Sequence, residues 1–329
     1  MSKIKIGQIG VGHGHAKGKI GVLQKLPDFE FVGIAEPDAE LRRHAQQEKE
    51  FQGVTWMTEE QLLNVPGLAA VAVETRVDRL LDTAETCVDA GLHLHLDKPA
   101  GTSLPQFKRI LDTAARKHLH VQMGYMYRYN PAIVMLRDFL RKGWLGEPFE
   151  IEAVMSKVLS TRKRGPVSRF RGGMMFELGC HLIDLVVGLI GRPEKVTSLA
   201  RHVSPIQDDL NDNMLAIFEY PSALVSVRSS GVEVEGFARR HLTVCGLEGT
   251  CHIQPLDRPN LRVVFSRDRG SYRKERYQEV KIGGYARYVA DLKDLARILR
   301  GEKEPDFSYE HDLQVQETVL RASGMPVDR

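Results

Sequence analysis

Glu177, His181 and Asp184 are spaced by four and then three residues inside Met174–Ile190, a segment whose pattern predicts a helix. That spacing puts the three on one stripe. Leu178, Leu182, Leu185 and Leu189 form a neighbouring apolar stripe for the core. A carboxylate–imidazole–carboxylate stripe has three uses: an acid–base apparatus, a hard-metal site or a buried hydrogen-bonded network. Imidazole titrates near neutral pH, so His181 can take a hydroxyl proton there. Asp97-Lys98-Pro99 follows a strand-like run. A lysine beyond a strand end can stabilise charge developing on a substrate oxygen, and the plain alternative is a surface lysine in a turn. His93, His95 and Asp97 share one face of that run, and His13 and His15 stand close together. Neutral histidines inside a domain account for both sets, and no metal is expected.

Residues 10–15 read Gly10-Val11-Gly12-His13-Gly14-His15, after one strand-like run and before a helical one. In that setting Gly10 permits a tight turn and Gly12 lets the backbone approach a pyrophosphate. The next helix N-terminus offers free N–H groups and a positive dipole. The third glycine of such a fingerprint is missing: His15 stands in its place, with Gly14 just before it. Glu36 ends the second predicted strand, 22 residues after Gly14. A carboxylate there can accept both ribose hydroxyls of NAD and would repel a 2′-phosphate. Dinucleotide binding is expected, with NAD favoured over NADP. Arg42 and Arg43, a little downstream, are what speaks for NADP.

These residues need elements to hold them. Strand signals fall at Ile4–Ile9, Phe29–Ala35, Val54–Met57, Leu68–Val73, Leu92–Leu96 and His120–Met123. Helical signals separate them at about 14–26, from the cap Asp38 to about 50, at 78–90, and from the cap Ser103 to about 117. Leu68–Val73 holds no polar residue, as expected of a strand buried on both faces. This predicts an α/β Rossmann domain, a doubly wound parallel sheet, over residues 1–123. Ligands of such sheets bind beyond the carboxyl ends of the strands, which puts Lys98 over the cofactor site. Residues 124–329 differ. Asn130-Pro131 reads as an N-cap with Pro at N1, opening a helix to about Arg141. Glu147–Leu159 alternates like a strand, and 160–173 is read as a basic loop. Strands then crowd 194–280, with helices at about 285–300 and 308–322. An α+β domain on an open, mainly antiparallel sheet is predicted.

Composition narrows the partners. The 329 residues carry 46 Lys and Arg against 43 Asp and Glu, a net charge of +3 with His neutral. That surplus predicts no nucleic-acid or membrane partner. Apolar residues make up 42% and charged residues 27%, which excludes a disordered chain. The longest nearly apolar run, Leu182 to Gly191, contains Asp184 and is half a membrane span. Cys87, Cys180, Cys245 and Cys251 are too scattered for a disulfide framework. With no leader-like segment in MSKIKIGQIG, a cytoplasmic protein is expected.

Together these segments resemble the Gfo/Idh/MocA family of oxidoreductases, named for glucose–fructose oxidoreductase and inositol dehydrogenase. Beyond the glycine turn and Ala35-Glu36-Pro37-Asp38, the segment from Ala90-Gly91-Leu92-His93 to Asp97-Lys98-Pro99 resembles its AGKHV…EKP. Gly124-Tyr125-Met126-Tyr127-Arg128-Tyr129-Asn130-Pro131 resembles its GFNRRFNP. Gly172-Gly173, then Glu177-Leu178-Gly179-Cys180-His181-Leu182-Ile183-Asp184, resembles its GG…DxGxHxxD. The likeness covers nearly the whole chain.

The resemblance implies an NAD(P) Rossmann domain, hydride transfer to or from a hydroxyl carbon of a sugar or polyol, and a second domain for substrate binding and oligomerisation. A homodimer or homotetramer is expected. Carried over by position, Lys98 is the catalytic lysine, Pro99 the cis proline that aims it, His181 the general base and Glu177 its acidic partner. Gly10, Gly12, His13, Gly14, His15, Glu36, Thr75 and Lys98 would contact the cofactor. Arg128, Asn130 and Asp184 would line the substrate site, with Asn130 equally read as a helix N-cap. Two departures stand out. Glu177 replaces the usual Asp. Thr75-Arg76-Val77-Asp78-Arg79-Leu80 lacks the Pro and His of the family's TPxxxH. Arg162, Lys163, Arg164, Arg169 and Arg171 read as a solvated charge run, or as a clamp for an acidic substrate. The same residues also allow redox-neutral, NAD-dependent elimination or hydrolysis of a glycoside, a non-catalytic NAD(H)-binding regulator, or a metal-dependent hydrolase.

Overall fold

Short apolar runs separated by amphipathic segments build the first part of the chain, in a computed structural model that describes residues 2–169 and 171–328. β1 (Ile4–Ile9) is followed by α1 (Ala16–Leu23), β2 (Phe29–Ala35), α2 (Ala39–Gln46), β3 (Trp56–Met57), α3 (Glu59–Leu63), β4 (Leu68–Val73), α4 (Val77–Asp89), β5 (His93–Leu96), α5 (Leu104–Arg116) and β6 (Val121–Met123). Among the described residues these six strands form one sheet in the order β3-β2-β1-β4-β5-β6, every pairing parallel. This is the predicted doubly wound sheet, and its order reverses direction between β1 and β4. Ala70 to Val73 are fully buried, as an all-apolar strand requires. Asp38 caps α2 by accepting from the N–H groups of Glu40 and Leu41 at 2.9 and 3.1 Å. Ser103 caps α5, whose Phe107, Ile110, Leu111 and Ala114 are buried.

α6 (Pro131–Arg141), β7 (Pro148–Ser156), α7 (Thr161–Ser168) and α8 (Cys180–Ile190) come next, and a π-helical turn, Met175–Gly179, leads into α8. β8 (Lys195–Arg201), β9 (Asn213–Glu219), β10 (Leu224–Ser230), β11 (His241–Gly246), β12 (Gly249–Ile253), β13 (Leu261–Phe265) and β14 (Gln278–Val280) join β7 in an eight-stranded sheet. Its order is β14-β13-β12-β11-β7-β10-β9-β8. Among the described residues only the central β7–β10 pair is parallel, so the sheet is mainly antiparallel, as expected. Strands β8 and β9 alternate in burial residue by residue, the period of a sheet covered on one face. The chain ends with α9 (Val289–Leu299) and α10 (Tyr309–Ala322).

Contacts divide the chain into two units: residues up to Met126 with Ala286–Leu313, and Tyr127–Tyr285 with Gln314–Val327. Assigning all of 124–329 to a second domain is therefore corrected. Segment 286–313 packs with the parallel sheet, where Gln122 Nε2 donates to the Asp291 carbonyl at 2.9 Å and Tyr309 Oη donates to the Leu119 carbonyl at 2.8 Å.

The predicted loop 160–173 contains α7. Its sequence is polar and includes Gly165 and Pro166, a poor helix by propensity. Long-range bonds hold it: Arg164, 1% exposed, donates to Asp208 at 2.6 and 2.8 Å and to Asp212 at 2.9 Å. Arg164 is thus neither part of a solvated charge run nor a free clamp. Phe170, within that loop, lies outside the described residues.

Candidate functional site

The glycine turn sits at the carboxyl end of β1, where the strand order reverses. Gly10 has φ +94°, a backbone region that favours glycine. A Cβ there would lie 2.4 Å from the Thr75 backbone nitrogen, so the turn presses directly on the end of β4. Glu36, 7% exposed, fixes the same turn from the other side. Its two carboxylate oxygens accept from Val11 N at 2.7 Å and Asp38 N at 2.9 Å. Burial pushes its carboxyl above the usual range, against those two hydrogen bonds. A cavity of about 320 Å³ opens beside it, lined by Glu36, Asp38, Leu41, Thr75, Arg76 and Arg79 among others. Arg76 pairs with Asp78 and lies over Gly12.

These residues fit a dinucleotide. Among the described residues, no protein acceptor faces the N–H groups of Gly12 and Gly14, and open space surrounds Gly14. Thr75 Oγ1 is buried without a partner. Donors and a hydroxyl left over at a glycine turn are what a pyrophosphate uses. The cavity is large enough for the adenosine half of such a ligand, and Glu36 lies on its wall.

Behind the turn lies a buried polar cluster. Asp97, fully buried, accepts the backbone N–H of Lys98 at 2.7 Å through Oδ1, which also faces His15 Nδ1 at 3.2 Å. Its Oδ2 contacts His13 Nδ1. Lys19 Nζ pairs with Glu74 and lies 3.5 Å from Asp97. Glu74 and Asp97 are themselves in contact. Burial and the adjacent Asp97 charge drive the Glu74 carboxyl well above its ordinary value. Burial would raise Asp97 too, but His13, Lys19 and His15 outweigh it and hold that carboxyl well below. The shared site thus pushes the two carboxyls apart, Glu74 upward and Asp97 downward. Burial lowers His15 to about 3 despite the Asp97 carboxylate, so its ring is neutral. The donor atoms of His13, His15 and Asp97 lie within 4.8 Å of one another, close enough to hold a metal ion. The Lys19 ammonium already brings positive charge to those carboxylates. Lys98, 1% exposed, is near enough for its charge to act on His15, and its bond to Pro99 is cis. The other suspected metal face separates: His93 Nδ1 accepts from His120 N at 2.9 Å, while His95 faces Asp291 at 3.4 Å.

The second unit carries the acid–base candidates. His181, 1% exposed, lies on α8 with its ring edge-on to Tyr127 at 5.6 Å. Tyr127 donates to Asp257 at 3.0 Å, and Arg240 holds the other Asp257 oxygen at 2.9 Å. Glu177 lies in the π-helical turn, partly exposed, 3.8 Å from Lys157 Nζ. The regular helix predicted from Met174 is therefore corrected: a π turn breaks the four-residue stripe between Glu177 and His181. Asp184 and Arg128, both buried, form an ion pair with N–O distances of 2.9 and 2.6 Å. Asn130 accepts from Ala132 N and donates to the Leu256 carbonyl, each at 2.9 Å, so its amide serves as the helix cap.

Residues 4–125 match the profile described as "Oxidoreductase family, NAD-binding Rossmann fold", and residues 133–252 match the "GFO/IDH/MocA C-terminal domain". The chain belongs to the GFO/IDH/MocA oxidoreductase family. The rhizopine catabolism protein MocA of Rhizobium meliloti is 25% identical over 197 residues, 58% of this chain and 59% of that protein. The scyllo-inositol 2-dehydrogenase (NAD(+)) of Bacillus subtilis is 23% identical over 335 residues, 96% of this chain and 93% of that one. In fold, the chain matches KijD10, a 3-ketoreductase from Actinomadura kijaniata in complex with TDP-benzene and NADP. That TM-score is 0.76 at 17% identity, covering 97% and 96% of the two chains. No helix among the described residues is long and apolar enough to cross a membrane.

Within this GFO/IDH/MocA member, sequence reading overlooked Lys19, Glu74, Tyr127 and Lys157. Lys19 had a signal: it shares the buried face of α1 with Ala16, Ile20 and Leu23, and a lysine there needs an internal counter-charge. Glu74 closes the all-apolar β4. Tyr127 stands inside the family-like segment Gly124–Pro131, but its Asp257 partner, like the Glu177 that faces Lys157, is remote in the chain.

Proposed function

We propose that this chain is an NAD(P)-dependent oxidoreductase that moves a hydride between the nicotinamide and a hydroxyl-bearing carbon of a sugar, polyol or sugar derivative, with NAD preferred. The observation that carries the reading is the ligand edge of the parallel sheet. There a glycine turn with unused N–H groups and the orphan Thr75 hydroxyl lie at the strand ends, and the His15 side chain and the Lys98 backbone N–H bond one buried carboxylate, Asp97. Glu36 on the cavity wall supports NAD, since a carboxylate repels a 2′-phosphate. The NAD(+) named for the inositol dehydrogenase agrees with this, and the NADP bound to KijD10 is the contrary precedent.

When bound, the nicotinamide supplies the hydride acceptor or donor. The chain's own residues handle the proton and the charge. Lys98 donates to the substrate oxygen and stabilises its alkoxide character. His181 takes the hydroxyl proton as general base. Tyr127 packs against that ring edge to face, and Glu177, beside Lys157, supplies negative charge four residues earlier in the chain. Arg128 and Asp184 support the substrate side through their ion pair.

The test is a screen of polyols, sugars and sugar acids with NAD, following reduced nicotinamide, on wild type and two variants. Lys98→Ala should lower turnover by about 10²-fold or more, and His181→Ala by about 10²- to 10⁴-fold. Full activity in either variant contradicts the role given to that residue.

A further inference from the structure

His15 occupies the position where a dinucleotide fingerprint carries its third glycine, which normally lets the helix pack closely on the strand. Here the contact is made differently. The His15 ring turns inward to Asp97 at 3.2 Å, the His13 ring reaches the other oxygen of the same carboxylate, and the two rings meet edge to face at 4.7 Å. Oδ1 of that carboxylate also accepts the Lys98 backbone N–H. Two more strand ends close on the group. Glu74, at the end of β4, touches it and shares Lys19 with it. Gly124, after β6, has no side chain, and a Cβ there would come 2.9 Å from Lys19 Nζ and 3.2 Å from Asp97 Oδ1. Side chains from the glycine turn and the backbone of the lysine turn thus bond one fully buried carboxylate. Hydrogen bonds to a charged group in so dry a setting are strong and geometrically demanding.

Building on the dinucleotide reading above, we propose that Asp97 and His15 are positioning residues for the cofactor: the Asp97–His15 bond does the work of the missing third glycine, holding the phosphate-binding turn in its binding shape and tying it to the Lys98 turn. Neither side chain needs to touch the cofactor. Asp97 acts on the turn through His15, and on Lys98 through its backbone N–H.

The test is calorimetric titration with NADH of wild type, His15→Leu, His15→Asn, Asp97→Asn and the double variant His15→Leu/Asp97→Asn, with unfolding midpoints measured alongside. Losing one hydrogen bond to a charged group should weaken NADH binding by about tenfold in His15→Leu. The amide nitrogen of His15→Asn stands where Nδ1 stood, so this variant should bind within about threefold of wild type. Asp97→Asn should lose about tenfold or more. The double variant should bind no worse than Asp97→Asn, because both changes remove the same bond. Unchanged affinity in His15→Leu, equal losses in the Leu and Asn variants, or additive losses of about a hundredfold each overturn the tether. If Asp97→Asn does not fold, the Leu–Asn comparison at position 15 decides alone. A wild type that binds NADH, with His15→Leu binding equally well, sinks the tether and leaves the proposed function standing. A wild type that binds neither nicotinamide sinks both.

Discussion

Arg128 and Asp184 bear on both stability and chemistry. Each is almost wholly buried, and the guanidinium reaches Asp184 Oδ1 through two nitrogens. Neutralising Asp184 leaves a buried cation facing a weaker partner, and breaking such pairs costs about 3–5 kcal/mol. Asp184→Asn should therefore lower the free energy of unfolding by about that amount, read from urea titration. A loss below about 1 kcal/mol would mean that the pair is not what holds Arg128 in place. The residue scale is also where sequence reading stops. It points to Lys98 and His181 as candidates from their motifs, but not to the commitment of Asp184 to Arg128, 56 positions away. Nor could it find that the Asn130 amide nitrogen, beyond the cap its sequence announces, donates to the Leu256 carbonyl 126 positions away. Such partners meet only through the fold, so no local pattern marks them.

At the scale of elements, local physics and the sequence agree best where burial is simplest. The runs that became β1, β2 and β4 start and stop at the residues the sequence predicts, and β4, which holds no polar residue, is the one that reads as a strand covered on both faces. The glycine turn was legible for a related reason. Gly10 at φ +94°, against the Thr75 backbone, admits no side chain without moving β1 or β4. Gly10→Ala should cost at least about 1–2 kcal/mol from the backbone conformation alone and abolish NADH binding. A normal melting temperature with normal NADH affinity would refute that account of the turn. Other elements follow less local rules. α7 is a helix with Gly165 and Pro166 inside it, anchored by Arg164 to carboxylates more than 40 residues away. The π turn at Met175–Gly179 inserts its irregularity between Glu177 and His181 without any residue that announces it. α3 is announced by a local signal, the Thr58–Gln61 capping box.

At the scale of the molecule, two family profiles cover 4–125 and 133–252, and the chain is built as two units on two different sheets. The parallel sheet's edge holds the glycine turn, Thr75 and Lys98. The mainly antiparallel unit holds His181, Glu177 and the Arg128–Asp184 pair. Chain order misplaced one stretch: 286–313 belongs with the parallel sheet, because α9 and the start of α10 bond β6 and its approach. The proposed substrate class rests on kinship rather than on any single residue, whereas the proposed cofactor binding rests on geometry that can be tested without a substrate. The most direct measurement is calorimetric titration of the purified wild-type chain with NADH and, separately, NADPH, after checking for co-purified nucleotide. Saturable binding of both forms at one site is expected, with NADH tighter by about tenfold or more, since Glu36 disfavours the added phosphate. Binding of neither form by a nucleotide-free protein would contradict it.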